Sequence, residues 1–152
     1  MNYRQIIAGA IGGAIAIGIM ELLSARTMTP LAVIPFATSI VLVLGSPDVP
    51  PAQPRALVGG HLVSALAGLL IVKICGPSPW AAAFAVGLAI AAMQVADMFH
   101  PPAGINPLLI VLQDFSWDYL LVPVASGALL LLIFTYLWNN FVRGERWPSR
   151  WS

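Results

Sequence analysis

The sequence predicts an all-α integral membrane protein with four long transmembrane helices and two short half-helices that proline breaks. The 152 residues are 59% apolar and only 9% charged, whereas soluble domains carry roughly 25% charged residues. Several runs approach the ~20 apolar residues that cross a bilayer. Too few polar residues remain to coat a soluble surface, so the lipid bilayer is the expected surrounding.

We expect the whole chain, residues 1–152, to form one membrane domain. Its N-terminal run has one arginine, a long apolar stretch and no clear cleavage site, which favours a first membrane helix over a signal peptide. The single cysteine, Cys75, excludes an internal disulfide, and no role beyond structure is assigned to it. A net charge of +1 gives no indication of a nucleic-acid partner.

The first apolar run, Gln5–Leu23, is rich in glycine and alanine. Gly9 and Gly13 have the spacing that lets another helix approach closely, either within this chain or in a homo-oligomer. Glu21 lies at the end of the run. It is either an interfacial residue near Arg26 or a member of a polar network.

The second segment, Pro30–Leu44, is interrupted at Pro35. The nine residues Phe36–Leu44 make about 14 Å of helix, half of a hydrocarbon core. The segment is therefore a half-helix or a broken span. The next stretch, Gly45–Gly60, contains four prolines in eight residues, which exclude regular helix there.

The third run, Arg55–Cys75, is predicted to be a long helix. Small residues recur four apart along it and form a stripe for helix packing: Gly60, Ser64 and Gly68. His61 begins that stripe, as a hydrogen-bonded structural group or as a ligand-binding residue. Arg55 is either a charge on the access path of a ligand or the partner of Asp48.

The fourth run, Trp80–Phe99, leads into the stretch Asp97–Gly104, with the sequence DMFHPPAG. Proline lacks an amide hydrogen and disfavours helix in the residue before it, so this helix is expected to end near Phe99. Asp97 and His100 are three residues apart and are expected to meet on one helix face. Ionisable groups beside a broken membrane helix indicate a functional site.

A second short segment, Ala103–Gln113, makes about 16 Å of helix, again half a span. The last run, Tyr119–Val142, is a strong membrane helix. Arg143, Arg146 and Arg150 follow it, and three arginines so close to a helix end predict a cytoplasmic C-terminus.

The two halves of the chain are similar to each other. Residues 15–22 (IAIGIMEL) resemble residues 88–95 (LAIAAMQV), and each copy precedes a proline-broken short segment and a long helix. We therefore expect a repeat, residues 5–75 and 79–142. The repeat is inverted if all six elements cross, whereas only four helices span if the short segments re-enter. Loop charge does not decide between these schemes.

The tripeptide His100-Pro101-Pro102, preceded by Asp97 and followed by Ala103-Gly104, resembles the HPP family of small bacterial and plant membrane proteins. Residues 51–55 (PAQPR) and 59–65 (GGHLVSA) are similar to the other well-marked stretch of that family. The resemblance covers roughly residues 8–140.

This resemblance implies a compact membrane protein, here in a bacterial inner membrane, with no enzyme activity. For plastid and cyanobacterial members it implies nitrite transport. The chain departs from the family pattern at residues 105–107 (INP), where relatives carry small residues and threonine, and this departure bears on nitrite specificity.

The function we expect is a transporter or channel for a small monovalent anion, most of all nitrite, bound at the N-termini of the two short helices. Unpaired amides give a helix N-terminus about half a positive charge, which attracts anions. The expected binding residues are Thr38, Ser39, Gly104, Asn106, His100, His61 and Arg55. Histidines titrate near neutral pH, so His100 and His61 are candidates for coupling a proton to the anion. Asp97 and Glu21 join His100 in a network that serves either proton coupling or structure.

Two other classes of function stay open. A set comprising His61, His100, Asp97 and Glu21 is suited to a transition metal or another cation, although no HxxxH or CxxC motif supports it. A structural or regulatory membrane subunit is the third class. No nucleophile–base pair can be placed, so we expect no catalytic residues, no resident metal and no cofactor.

Overall fold

The structure is a computed structural model, and it describes residues 3–27 and 34–151. All regular elements in these ranges are helical, which confirms the predicted all-α class. The main helices are α1 (Tyr3–Thr27), α2 (Ile34–Gly45), α3 (Gly60–Cys75), α4 (Pro79–Val95), α5 (Ile105–Leu112) and α6 (Ser126–Leu137). The expected start of the second segment at Pro30 lies outside the described residues.

Helical turns of other types extend several of these helices. A π-helical turn, Arg55–Gly59, precedes α3, and the 3-10 turn Pro101–Gly104 precedes α5. Two more π-helical turns flank α6, namely Leu120–Ala125 and Trp138–Arg143. Val122, which precedes Pro123, leaves the helical backbone conformation, which proline disfavours in the residue before it.

Three continuous helical stretches are long and apolar enough to cross a membrane: Tyr3–Arg26, Arg55–Cys75 and Leu120–Arg143. The fourth predicted long helix, α4, has 17 residues and is shorter than these. The two short apolar stretches are Pro35–Gly45 and Pro101–Leu112, close to the predicted half-helices. Three of the four predicted long spans are therefore long enough on their own.

The predicted end of the fourth run at Phe99 is wrong, because α4 ends at Val95. Asp97 adopts a left-handed conformation with φ of 53°, and the Met98 amide donates to the Met93 carbonyl at 2.8 Å. This arrangement is a Schellman ending, in which a left-handed residue closes the last helical turn. Asp97 therefore stops the helix before proline is reached.

The start of α1, the end of α2 and the end of α6 meet at one end of the molecule, which we call the terminal face. There Arg143 donates to the Leu44 carbonyl at 2.7 Å and to the Gln5 side chain at 3.1 Å. Gln53, just before α3, accepts from the Ser149 amide at 3.0 Å, so α3 also starts at this face.

The contacts fix the direction of the remaining helices. Arg55 at the start of α3 donates to the Ala96 carbonyl, so α4 returns to the terminal face. Asn106 near the start of α5 contacts His61 near the start of α3, and a Cβ on Gly68, further along α3, would meet Ile110 at 3.2 Å, so α5 runs alongside α3 in the same direction. Helix α2 returns towards the terminal face along α1, so α2 and α5 run in opposite directions.

Two apolar clusters form the core. One joins α1, α2 and α6 around Met20, Phe36 and Leu131. The other joins α3, α4 and α5 around Leu69, Ala82 and Ile110, with the chain before α6 packed on it. The candidate site is carried by α2, which belongs to the first cluster, and by α3 and α5, which belong to the second. The site therefore lies where the two clusters meet.

The glycine spacing on α1 is used within the chain. A Cβ on Gly9 would lie 2.9 Å from the Leu44 carbonyl oxygen, and one on Gly13 would contact Ile40 at 3.8 Å. The predicted close approach of another helix is thus confirmed, with α2 as that helix. Because this stripe is occupied inside the chain, it gives no support to a homo-oligomer.

Candidate functional site

Five buried polar side chains lie together between the two short helices, and we call them the polar cluster. Each is exposed by 1% or less. Helix α2 contributes one residue, α3 two and α5 one, and the last residue directly precedes the 3-10 turn. The members are Ser39, His61, Ser64, Asn106 and His100. Burying such groups costs free energy unless they are hydrogen-bonded, and here they bond to one another.

Ser39 stands at the centre of the polar cluster. Its Oγ lies 2.9 Å from His61 Nε2 and 2.8 Å from His100 Nε2. The same oxygen lies 2.7 Å from the Pro35 carbonyl oxygen, four residues earlier on α2, a common position for a helical serine to bond. A single hydroxyl hydrogen therefore faces three partners.

His100 is held at both ring nitrogens. Nδ1 lies 2.7 Å from the carbonyl oxygen of Pro51, in the proline-rich stretch before α3. Because a carbonyl oxygen only accepts, Nδ1 carries a hydrogen and donates it. His100 has the extended conformation that a residue before proline favours, and Pro101 then begins the 3-10 turn. The tripeptide thus directs the imidazole towards Ser39 on α2 and starts the 3-10 turn that leads into α5.

His61 is fixed on three sides. Its ring stacks on Phe36, with 4.7 Å between the ring centroids. Nε2 faces Ser39, and Nδ1 lies 3.1 Å from Nδ2 of Asn106. An amide NH₂ group only donates, so with Asn106 in this orientation Nδ1 accepts and the hydrogen of His61 lies on Nε2. The centroids of the His61 and His100 rings are 5.1 Å apart.

Asn106 links His61 to Ser64. Its Nδ2 donates to Ser64 Oγ at 2.9 Å, and Ser64 Oγ donates to the His61 carbonyl at 3.1 Å. The other amide atom, Oδ1, is buried without a hydrogen-bond partner. A buried acceptor without a donor costs about 1–3 kcal/mol, so the amide is held here against a penalty.

Gly60 allows the segment before α5 to approach α3. A Cβ at this position would lie 2.6 Å from His100 Cβ and 2.8 Å from the Met98 carbonyl oxygen. Any larger residue has to displace His100 or its backbone. The predicted small-residue stripe on α3 is therefore the surface against which the site is built.

Two predicted binding residues lie beside the polar cluster. Thr38 lines an open cleft of about 390 Å³ together with Pro101 and Pro102, so the starts of the two short helices meet there. Thr38 donates to the Pro35 carbonyl at 3.0 Å. Gly104 adjoins open space, since a Cβ on it would meet nothing within 4 Å. Prolines in the first turns supply no amide hydrogens, which reduces the amide donors expected at both helix starts.

Arg55 does not enter the polar cluster. Its guanidinium donates to the carbonyl oxygens of Ala96 at 2.9 Å and Asp97 at 3.2 Å. These carbonyls directly follow α4, at the negative end of its dipole, where a cation is stabilising. The sequence offered Asp48 as one possible partner of Arg55. In the described part of the chain, Arg55 instead bonds to these two carbonyls.

The expected contact between Asp97 and His100 is not formed. Because α4 ends before Asp97, the two residues do not share a helix face, and the Asp97 side chain is exposed. Both nitrogens of His100 already face Ser39 and Pro51. Glu21 is also exposed, on α1.

These positions bear on the alternative cation site. The four predicted metal-ligating residues are not brought together. Across residues 3–27 and 34–151, no three His, Cys, Asp or Glu side chains lie close enough to hold a metal ion. The described residues therefore give no support to the predicted metal site.

The sequence did not single out Ser64 of the polar cluster or the Pro51 carbonyl that holds His100. Ser64 was interpreted as a packing residue, although a hydroxyl three residues after a histidine in an apolar helix was a usable signal. The Pro51 carbonyl had no such signal, because a backbone group takes its role only from the fold.

Comparisons with known proteins agree with a membrane protein. The family profile described as "HPP, transmembrane region" matches residues 1–148. Two Dictyostelium discoideum proteins, each named only as a transmembrane protein, are 42% and 38% identical over 124 residues. Both matches cover 76% of this chain, and they cover 40% and 44% of the relatives. The chain thus spans less than half the length of these relatives. No solved structure matches it.

Proposed function

The chain belongs to the HPP family, and from that premise we propose that it transports a small monovalent anion across a membrane. Nitrite is the substrate we expect first, because family resemblance points to it. The observation that carries the proposal is the polar cluster, in which two oppositely directed short helices begin at buried hydrogen-bonding side chains. Buried polar groups in a membrane protein are costly and mark substrate pathways.

We propose that the anion reaches the polar cluster through the cleft beside Thr38 and the two prolines. The hydroxyls of Thr38 and Ser39 and the ring of His100 are the groups it meets first. None of them carries a permanent charge, so they bind a monovalent anion without trapping it. A site that released its substrate slowly would be a poor transporter.

An inverted repeat is part of this proposal. Its halves are α1–α3 and α4–α6, each with the order long, short, long. Supporting it, α1 and α3 leave the terminal face whereas α4 and α6 approach it, so each pair of counterparts runs in opposite directions. Repeats of this kind place transporter sites where two broken helices meet.

We also propose that the terminal face lies in the cytoplasm. Arginines are concentrated at this face: Arg4, Arg55, Arg143, Arg146 and Arg150. Lys73 and Arg26 are near the opposite ends of their helices. Lysine and arginine are enriched in cytoplasmic loops.

The transport proposal is tested by anion uptake into proteoliposomes, with protein-free liposomes subtracted. We expect uptake of nitrite, and we would compare nitrate, formate and chloride under the same conditions. Absence of uptake for all four anions by folded protein would overturn the proposal.

Asn106→Leu is the variant that locates the site. We expect at least a tenfold loss of nitrite uptake, because His61 loses the donor that orients its ring. The matched control is Asn139→Leu, since the Asn139 amide is also buried but both of its polar atoms lack partners. Uptake that falls equally in both variants would contradict the assignment of the site to the polar cluster.

A further inference from the structure

We propose that the polar cluster takes up a proton together with each anion, so that the transported unit is electrically neutral. The proton is carried on His100, and the Ser39 hydroxyl is the switch that accommodates it. This inference rests on the proposed anion transport and specifies its coupling. Three observations lead to it: the number of hydrogens available to Ser39, the contacts of His100, and the charges around both.

The hydrogens around Ser39 are too few when both histidines are neutral. His100 uses its hydrogen at Nδ1 for the Pro51 carbonyl, which leaves Nε2 as an acceptor. Ser39 must then donate to His100 Nε2, and its 2.7 Å contact with the Pro35 carbonyl oxygen has no hydrogen. In this state one of the short contacts of Ser39 is between two acceptors.

One added proton removes this conflict. With a hydrogen on Nε2 as well, His100 donates to Ser39 Oγ, and the hydroxyl turns to donate to the Pro35 carbonyl. His61, with its hydrogen on Nε2, donates to Ser39 in both states. The cluster is therefore already arranged for a doubly protonated His100, with no movement beyond rotation of a hydroxyl.

The surroundings leave that cation without a partner. His61 is the one titratable side chain in contact with His100 in the described structure. Helices α2 and α5 contain no ionisable residue. Asp97 and Asp48 are exposed, and Arg55 is held by backbone carbonyls of α4. A buried cation is costly when unpaired.

An anion in the adjoining cleft supplies the missing charge. The anion is equally costly to bury alone, and no fixed cation of the described residues enters the cluster to neutralise it. Each charge thus stabilises the other, so proton and anion bind together and leave together. The balance is simple: His100 gains H⁺ at Nε2 as the anion enters and loses it as the anion leaves.

The first experiment measures coupling in proteoliposomes. Nitrite uptake is measured while an internal pH dye reports proton entry. The driving force is either a proton gradient or a potassium diffusion potential set with valinomycin. We expect one proton to enter per anion, faster uptake into an alkaline lumen, and no change with potential. Uptake driven by potential without proton entry overturns the coupling alone. No uptake of any anion overturns the transport proposal and this inference together.

A second experiment measures the wild-type protein and uses one variant only for assignment, because the chain contains only two histidines. Ring ¹⁵N labelling gives four nitrogen signals, which a His61→Gln sample assigns. The pH is held constant. Without anion we expect a neutral His100 with its hydrogen on Nδ1. With saturating nitrite we expect a doubly protonated His100. A ring that stays neutral with nitrite, or is already charged without it, overturns the inference.

His100→Gln separates positioning from proton carriage. Glutamine can still hydrogen-bond to Ser39 but does not take up a proton near neutral pH, so we expect slower anion uptake, and we expect the uptake that remains to proceed without proton entry. The control is Asp97→Asn, which should keep the wild-type proton-to-anion ratio. Coupling that survives in His100→Gln, or that disappears in Asp97→Asn, contradicts the assignment to His100.

Discussion

The two ends of α2 are both bonded to polar side chains, but by opposite means. At its C-terminal end the Leu44 carbonyl accepts from Arg143, whose side chain is 5% exposed and also pairs with Glu145 at 3.0 Å. Near its N-terminal end Ser39, whose hydroxyl also lies beside the Pro35 carbonyl, meets two imidazoles with no ion pair among them.

Under the proposed function, the difference separates polar groups that hold the fold from polar groups that bind the ligand. Arg143 is permanently charged, has a carboxylate beside it and binds the negative end of a helix dipole, so it has no second state to adopt. The polar cluster holds groups that change protonation, and its central hydroxyl has more partners than hydrogens. The bonds of Arg143 fix the end of α2 in place. In the polar cluster, by contrast, the Ser39 hydroxyl can donate to either of two acceptors, and in our proposal a bound ligand determines which.

Arg143→Gln should have the largest effect on stability. Its loss leaves Leu44, Gln5 and Glu145 without their donor, which we expect to cost about 3 kcal/mol in reversible unfolding in mixed micelles. The control Arg146→Gln changes an exposed side chain and should stay within about 0.5 kcal/mol of wild type. If the folded Arg143 variant lost proton coupling instead of stability, the contrast between the two ends would be wrong.

Gly60→Ala should disturb the polar cluster, at the N-terminal end of α2. The new Cβ has to displace His100, so we expect a cost of roughly 2 kcal/mol from overpacking and reduced nitrite uptake. Gly104→Ala places its methyl group in open space and should change stability little. Equal stability of the two variants in thermal unfolding would mean that α3 and His100 are less closely packed than their contacts indicate.

Substitutions of Asp97 should have the smallest effect on stability. They also test most directly whether a carboxylate forms an ion pair with the polar cluster. Its left-handed backbone predicts that Asp97→Gly is at least as stable as wild type, whereas Asp97→Ala loses about 1 kcal/mol. Unfolding of the two variants measures this difference. Uptake and its proton ratio should match wild type in both. A change in that ratio would give the carboxylate the role that Glu145 has beside Arg143.

The sequence was sufficient for features that depend on local pattern. Composition predicts the membrane helices, proline positions predict the two short helices, and glycine spacing predicts the close contacts of α1 and α3. Several residues that converge in the structure were selected individually because polar groups are rare in apolar helices: Ser39, His61, His100 and Asn106.

What sequence could not supply depends on backbone geometry and on contacts between distant segments. Asp97 looked like a partner of His100, but it is the left-handed residue that ends α4. Arg55 looked like a ligand-binding charge, yet the carbonyls that hold it belong to a helix about forty residues later. One of the two hydrogen-bond partners of His100 is the Pro51 carbonyl, which no side-chain pattern reveals.

The contacts between α1 and the end of α6 have a consequence for how the protein is made. Trp138 donates to the Ala8 carbonyl at 3.1 Å, and Arg143 reaches Gln5 across 138 residues of sequence. Synthesis proceeds from the N-terminus, so α1 is made before α6, and these bonds form only after α6 has followed. Before then, α1 can pack on α2 through its glycine face and through Met20. A truncation before residue 138 should therefore remove the hydrogen bonds that hold the start of α1.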